Sequence, residues 1–383
     1  MELKAILELE DRYQLSTYSK LPISLERGRG SYVFDSDGNR YLDMYGGHAV
    51  ASTGHCHPEV VRAIQEQAES IIFYSNVVYH SARSRAAAKL IDLAGAPYHQ
   101  AFFANSGSEA NENALKLARA VTGRVEVLST TGSFHGRTYG SLSATGIDSF
   151  RNYLNAPVPG HRILPWDRVA DEVSTSTAAV LLEPIQSMSG VIELPVEALQ
   201  AIYGACRKNG AVLIFDEIQT GIGRTGTFLY ANQLNIRPDL ISLAKGLASG
   251  FPVGALLVSE KIAKQVRKGD LGTTFGGGPL ACAAMEATLK VIEQEDLPAN
   301  AHLMGLKIVD GLRRLEVVEE VRGQGLLLGI RFRNRNASEV HRFLFERGIL
   351  SGTSDDPSIL RIMPPLTLSS AEVEEFSSAL EAL

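Results

Sequence analysis

The chain has 383 residues, 45% of them hydrophobic, and carries 37 Lys and Arg against 43 Asp and Glu, a net charge of −6. That balance, with no run of basic residues, excludes an electrostatic case for nucleic-acid binding, and no stretch approaches the roughly 20 apolar residues of a membrane span. Three scattered cysteines, Cys56, Cys206 and Cys282, are too few for a disulfide framework, and the acid-interrupted first ten residues do not read as a signal peptide, so the expected compartment is the cytoplasm.

In chain order, turn signals at Arg27-Gly-Arg-Gly30 and Asp35-Ser-Asp-Gly38 mark an opening segment. Helical patterns follow over 59–70 and 82–94, a short apolar strand over 101–104, and a helix over 108–121 whose stripe is Ala110, Ala114, Leu117, Ala118 and Val121. Strand patterns at 125–128, 178–182, 211–215, 240–243 and 255–258 then alternate with helices at 196–208 and 280–293. This alternation predicts an α/β fold with a mainly parallel sheet. Beyond 295 the pattern becomes an amphipathic helix, strands at 317–321 and 326–332, a helix at 338–347 and a last helix from Ser369, which suits a smaller α+β domain. The expected division is residues 1–45 packing with the small domain, 46–295 as the large domain and 296–383 as the small one.

Two of the strand patterns end in chemistry. Ala211-Val-Leu-Ile-Phe215 leads into Asp216, and Asp239-Leu-Ile-Ser-Leu-Ala244 leads into Lys245. They lie about 30 residues apart, one strand–helix–strand repeat, so both side chains should emerge at the carboxyl ends of parallel strands, where open α/β sheets build their sites. A lysine able to form a Schiff base and a carboxylate able to partner a pyridinium nitrogen suit pyridoxal 5'-phosphate. An anion cradle is available at Asn105-Ser-Gly-Ser-Glu-Ala-Asn-Glu112, where Ser106 and Glu109 have capping-box spacing and a helix start offers free N–H groups. Gly272-Thr-Thr-Phe-Gly-Gly-Gly-Pro279 is a second glycine-rich turn before a helix. Ser133-Phe-His-Gly-Arg-Thr138 sets an aromatic ring, an imidazole and a guanidinium around one glycine. His55-Cys-His57 lacks further ligands at zinc-binding spacing, and no metal is assigned.

Together these segments resemble the class III (subgroup II) aminotransferases, fold type I pyridoxal-phosphate enzymes, and within them the acetylornithine aminotransferases. The resemblance runs along nearly the whole chain. It takes in Tyr41-Leu-Asp43, Gly54-His-Cys-His-Pro58, Glu183-Pro-Ile-Gln186, Asp216-Glu-Ile-Gln-Thr-Gly-Ile-Gly-Arg-Thr-Gly226, Ala244-Lys-Gly-Leu247 and Leu360-Arg-Ile-Met-Pro-Pro-Leu366, besides the loops already named. It implies that Lys245 carries the cofactor and shuttles the proton, and that Asp216 keeps the pyridine nitrogen protonated. By the same resemblance Ser106, Gly107 and Ser108 hold the phosphate, with Thr274 reaching it from a partner subunit. Phe134 and Ile218 cover the two ring faces, and Gln219 approaches the ring hydroxyl. Arg361 matches the arginine that takes the α-carboxylate of the keto acid, Arg137 is a second carboxylate ligand, and Glu183 and His48 fall in regions that line the substrate pocket. The implied assembly is a homodimer with shared active sites, with no nucleic acid or membrane as partner.

The chain departs from the family pattern in two places. Ser187-Met-Ser189 stands where relatives carry Gly-Glu-Gly, whose glutamate pairs with the arginine matching Arg361 while the amine donor is bound, and Gly278 replaces a common asparagine. Met188 cannot form that ion pair, so either another acid substitutes or Arg361 stays open. The expected reaction is transfer of the terminal amino group of N-acetylornithine, or a close ω-amino acid, to 2-oxoglutarate, in arginine biosynthesis. Succinylornithine, ornithine, 4-aminobutyrate and an acyl-lysine intermediate are alternative donors, and an aminomutase of the glutamate-semialdehyde type is the rival from another class.

Overall fold

The strands that the apolar runs predicted assemble into the central sheet of the computed structural model, which describes residues 2–152 and 154–383. Its order is Tyr98–Ala104, Gly254–Ser259, Leu240–Leu243, Val212–Asp216, Thr177–Leu182, Glu126–Thr130, His161–Leu164. All run parallel except Gly254–Ser259, which is antiparallel to both neighbours. Every residue of Thr177–Leu182, Val212–Asp216 and Leu240–Leu243 is buried, the pattern of strands covered on both faces.

The period of two divides these strands between two cores. Val212, Ile214, Leu181 and Leu240 pack with Ala114, Leu117 and Ala118 of helix Gly107–Thr122. Leu213, Phe215, Leu182 and Leu243 face the other way, onto Leu199, Ile202 and Cys206 of helix Val196–Asn209 and onto helix Pro279–Gln294, which is buried almost all round. The result is a three-layer sandwich whose strand ends open onto one rim, the place where such sheets bind ligands.

A second, antiparallel sheet orders Val318–Gln324, Leu327–Phe332, Ile359–Ile362 and Gly352–Thr353, backed by helices Leu297–Leu312, Ala337–Phe345 and Ser370–Glu381. The amino-terminal strands Leu25–Arg29, Tyr32–Asp35 and Arg40–Asp43 form a third sheet, completed by Ile349–Leu350 running parallel to Arg40–Asp43. Two strands, among others, have no counterpart in the sequence reading. Edge strand His161–Leu164 closes the central sheet, and Ile359–Ile362 carries Arg361. Helix Leu3–Tyr13 buries none of its residues. No helix among the described residues is long and apolar enough to cross a membrane.

Candidate active site

Asp216 is the last residue of its strand, only 3% exposed, so its carboxylate must be satisfied by protein groups. Asn111 Nδ2 donates to Oδ2 at 2.7 Å, His135 Nδ1 lies 2.9 Å from the same oxygen, and the Ile218 N–H donates to Oδ1 at 3.1 Å. Asn111 also donates to the His135 carbonyl at 2.8 Å, which ties the two partners together. His135 Nε2 is buried without a partner. This network assigns the proton to Nδ1, because a proton on Nε2 would leave an N–H buried and unbonded while removing the donor to Asp216.

Lys245 follows strand Leu240–Leu243 and opens the short turn Lys245–Ala248 with φ of 48°, a left-handed conformation that costs a lysine about 1–3 kcal/mol. Burial pushes its ammonium down to about 8, against the opposing pull of Asp216 and Glu183 and with a smaller push from Arg361. Lowering it brings the free amine, the nucleophilic form, within reach near neutrality, at about a tenth of the lysine at pH 7.

Helix Gly107–Thr122 begins at the same rim. Ser106 caps it by accepting the Glu109 N–H at 3.2 Å, as its spacing predicts, but Glu109 reaches back one residue further than a capping box requires, to the Asn105 N–H at 2.6 Å. The N–H groups of Gly107 and Ser108 have no protein partner among the described residues, at the positive end of a sixteen-residue helix. A Cβ on Gly107 would meet Ile218 Cδ1 at 2.5 Å, so glycine is what keeps the cradle open beside Ile218.

These groups surround one cavity of about 440 Å³, within the usual size of a cofactor site. Its wall includes Lys245, Asp216, Ser106, Gly107, Ser108, Phe134, Arg137, Glu183, Ile218 and Gln219. Arg137 lays its guanidinium over the Phe150 ring at 4.2 Å. Glu183 accepts the Phe134 N–H at 2.7 Å, and burial together with Asp216 raises its carboxyl to about 8.

Three expected residues stand apart from that wall. Thr274 is exposed, outside the cavity. His48 sits half-buried in turn Gly46–Ala49, bonded through Nδ1 to the Tyr45 hydroxyl at 2.8 Å. Arg361, 1% exposed, lies behind the wall and is linked to it: its Nη1 donates to Ser187 Oγ at 3.1 Å, and the Ser187 hydroxyl donates to Gln219 Oε1 at 3.1 Å. His55 and His57 turn to separate acids, His55 to Asp43 at 2.8 Å and His57 to Glu295 at 3.1 Å.

Asn111, His135, Tyr45 and Ser187 received no role from the sequence. Asn111 had one usable signal, its place four residues after Gly107 on the helix that opens at the rim; the others act through contacts between distant segments.

The chemistry of this donor set fits pyridoxal phosphate. A free-amine lysine, a fixed carboxylate with a lone pair to spare, two unpaired N–H groups at a helix start and an aromatic wall are the groups such a cofactor requires.

Comparison with known proteins agrees. The model of the family described as aminotransferase class-III matches residues 13–383. The chain is 41% identical over 383 residues to an acetylornithine aminotransferase of Methanopyrus kandleri, covering 98% of each chain. Among solved structures it is similar to the acetylornithine aminotransferase of Elizabethkingia anophelis, with a TM-score of 0.87 and 28% identity over 100% of this chain and 98% of that one. It also resembles an ornithine aminotransferase of Toxoplasma gondii whose active site holds pyridoxal phosphate at partial occupancy, with a TM-score of 0.93 and 28% identity over 100% of this chain and 93% of the other. The architecture, the cavity and the match along almost the entire length lead to one assignment: the chain belongs to the class III aminotransferases and is a pyridoxal-phosphate-dependent enzyme.

Proposed function

We propose that the enzyme moves the terminal amino group of N-acetylornithine onto 2-oxoglutarate, giving the semialdehyde and glutamate in two half-reactions. The observation that carries this reading is the convergence of Lys245, Asp216 and the start of helix Gly107–Thr122 on one cavity, with Arg361 immediately behind it. The acetylornithine aminotransferases among the relatives support the choice of donor.

Pyridoxal phosphate, when bound, supplies an electron sink for the carbon that loses its proton. Lys245 Nζ would hold the cofactor, and its free amine would be the base that carries the proton taken from the donor carbon to the cofactor. Asp216, fixed by Asn111 and His135, would keep a proton on the ring nitrogen. Ser106, Gly107 and Ser108 would hold its phosphate, Phe134 and Ile218 would confine its ring, and Gln219 would face the ring hydroxyl. Arg361 takes the α-carboxylate of the keto acid, and Arg137, at the aromatic wall, takes the carboxylate at the other end of a substrate. Glu183, whose carboxyl burial and Asp216 push up, stands beside these groups at the cavity wall.

The proposal extends to the assembly. The segment 72–79 and the loop 272–278 form one apolar surface, joined by Asn76 Nδ2 to Gly276 O at 2.9 Å and by Phe73 against Phe275 at 5.1 Å. Val77, Tyr79 and Phe275 are exposed at its crest, which suits a second copy of the chain and would carry Thr274 to the partner's phosphate site. We also keep the division at residues 45 and 295 and a cytoplasmic location as part of this reading.

The test is a set of single turnovers: the holoenzyme is mixed with N-acetylornithine, succinylornithine, ornithine or 4-aminobutyrate, then with 2-oxoglutarate. Fastest conversion by N-acetylornithine and recovery by the keto acid support the reading. Fastest conversion by ornithine would move the donor to the reaction named for the Toxoplasma gondii structure.

A further inference from the structure

Arg137 reaches the cavity wall as an exposed side chain, and its guanidinium makes no hydrogen bond or ion pair among the described residues. An exposed arginine spreads over many rotamers, and binding a carboxylate must first collect them into one, at a cost in entropy. Two rings restrain this one. Its Cζ lies 4.2 Å from the centroid of Phe150 and 5.7 Å from that of Phe134, so the cation sits in the corner between them. The rings themselves meet edge to face, with centroids 5.1 Å apart at 69°, the arrangement their quadrupoles favour. Attraction to a ring positions a guanidinium without an acid that would neutralise it, so the charge and the fork of N–H groups stay available to a carboxylate.

The main chain beneath Arg137 is held separately. Glu112 accepts from Thr138 Oγ1 at 2.6 Å and from the Gly140 and Ser141 N–H groups at 2.8 and 3.0 Å, and Ser108 Oγ accepts the Arg137 N–H at 3.0 Å. These bonds fix the backbone of the loop and leave the Arg137 side chain to turn about its own bonds. Phe150 supplies the remaining constraint. It is half-buried, stands outside the cavity lining and belongs to the short helix Asp148–Arg151. That helix is anchored in turn: Ser149 Oγ donates to Asp355 Oδ1 at 2.8 Å, and the Asp355 N–H donates to the Met188 carbonyl at 2.8 Å. Asp355 lies in the loop between Gly352–Thr353 and Ile359–Ile362, so Phe150 is placed from the second sheet, whereas the Arg137 loop hangs from the central one.

We propose that Phe150 is a positioning residue for donor selection: it holds the Arg137 guanidinium ready, so that the enzyme favours ω-amines carrying a carboxylate at the far end over ω-amines carrying none. Phe150 touches neither substrate nor cofactor in this role. It acts through Arg137 and, by its edge contact, steadies Phe134. Its effect falls on the affinity for the acid and spares the chemical step.

The inference rests on the role proposed for Arg137, and the experiment separates the two. The ω-amino acid that converts the parent holoenzyme fastest, N-acetylornithine by the proposed function, is compared with its carboxamide, which keeps the amine and has no charge at the far end. In Phe150→Leu, which retains apolar bulk without a ring face, KM for the acid should rise roughly fivefold, the worth of an exposed cation–ring contact, with kcat within twofold of the parent and the carboxamide unaffected. Phe150→Trp should restore the parental KM. Calorimetric titration of the resting holoenzyme with N-acetylnorvaline, which lacks the reacting amine, should show the same fivefold loss in Phe150→Leu. A preference for acid over amide in Phe150→Leu equal to the parent's would overturn the inference and leave the role of Arg137 intact. Equal losses for acid and amide, or a fall in kcat, would make Phe150 a packing residue and overturn it as well. A parent enzyme that does not prefer the acid to the amide would remove Arg137 from donor recognition, and the inference with it.

Discussion

Asp216 and Lys245 were legible as residues because each ends an apolar run, where burial makes an ionisable group expensive and a functional reason is needed. Their environment was not. His135, 81 positions before Asp216 in the chain, and Asn111, 105 positions before it, become its partners only through the fold. Replacing Asp216 with Asn should lower turnover by roughly 10²–10⁴, the span of a general acid–base contribution, while the phosphate cradle still binds the cofactor; a rate within twofold of the parent would remove its role. His135→Phe keeps the ring's bulk but loses the Nδ1 donor. It should lower kcat roughly tenfold, the cost of a hydrogen bond to a charged group, with KM little changed, and shift the pH at which the bound cofactor changes colour; an unmoved colour transition would make His135 a packing residue only. Lys245 offers a sign that can be worked out directly. Burial lowers its pKa to about 8 from 10.5, so the free amine increases as pH rises through 8. Covalent cofactor capture by the apoenzyme should therefore accelerate from pH 6.5 to 8.5 and then level off, as followed by absorbance. A rate still climbing towards pH 10.5 would mean an unperturbed lysine.

At the scale of elements, the central strands were readable because burial on both faces writes continuous apolar runs, and Leu240–Leu243 falls on the expected residues. His161–Leu164 escaped because it begins His-Arg and has no such run, and Ile359–Ile362 because it is four residues long with an arginine in the middle. The reversed direction of Gly254–Ser259 leaves no mark in composition. That strand nonetheless positions the cofactor cradle. Its first residue, Gly254, lies so close to the Ser106 backbone that a Cβ there would overlap the carbonyl group. Gly254→Ala should displace the start of helix Gly107–Thr122 and weaken cofactor affinity at least tenfold, an overpacking penalty of the usual size. Equilibrium titration of the apoenzyme with pyridoxal phosphate checks this, and parental affinity would show that the rim has slack the geometry does not reveal.

For the whole molecule, sequence periodicity predicted two kinds of sheet, whereas the pairing of Arg40–Asp43 with Ile349–Leu350, more than 300 residues apart, follows from the folded chain alone. The apolar crest of Val77, Tyr79 and Phe275 was equally hidden, since apolar residues in a loop pattern do not announce their exposure. Val77→Asp should dissociate the proposed dimer at micromolar concentration in sedimentation velocity and lower cofactor retention with it; an unchanged sedimentation coefficient would place the interface elsewhere. Two-stroke transfer through Lys245 and Asp216 from an ω-amine to a keto acid is read directly by single-turnover absorbance spectroscopy. N-acetylornithine alone should convert the holoenzyme stoichiometrically, 2-oxoglutarate should restore the starting spectrum, and Lys245→Ala should complete neither stroke at a measurable rate. Full conversion and recovery in Lys245→Ala at the parental rate, or a parent enzyme that no ω-amine converts, would contradict the account.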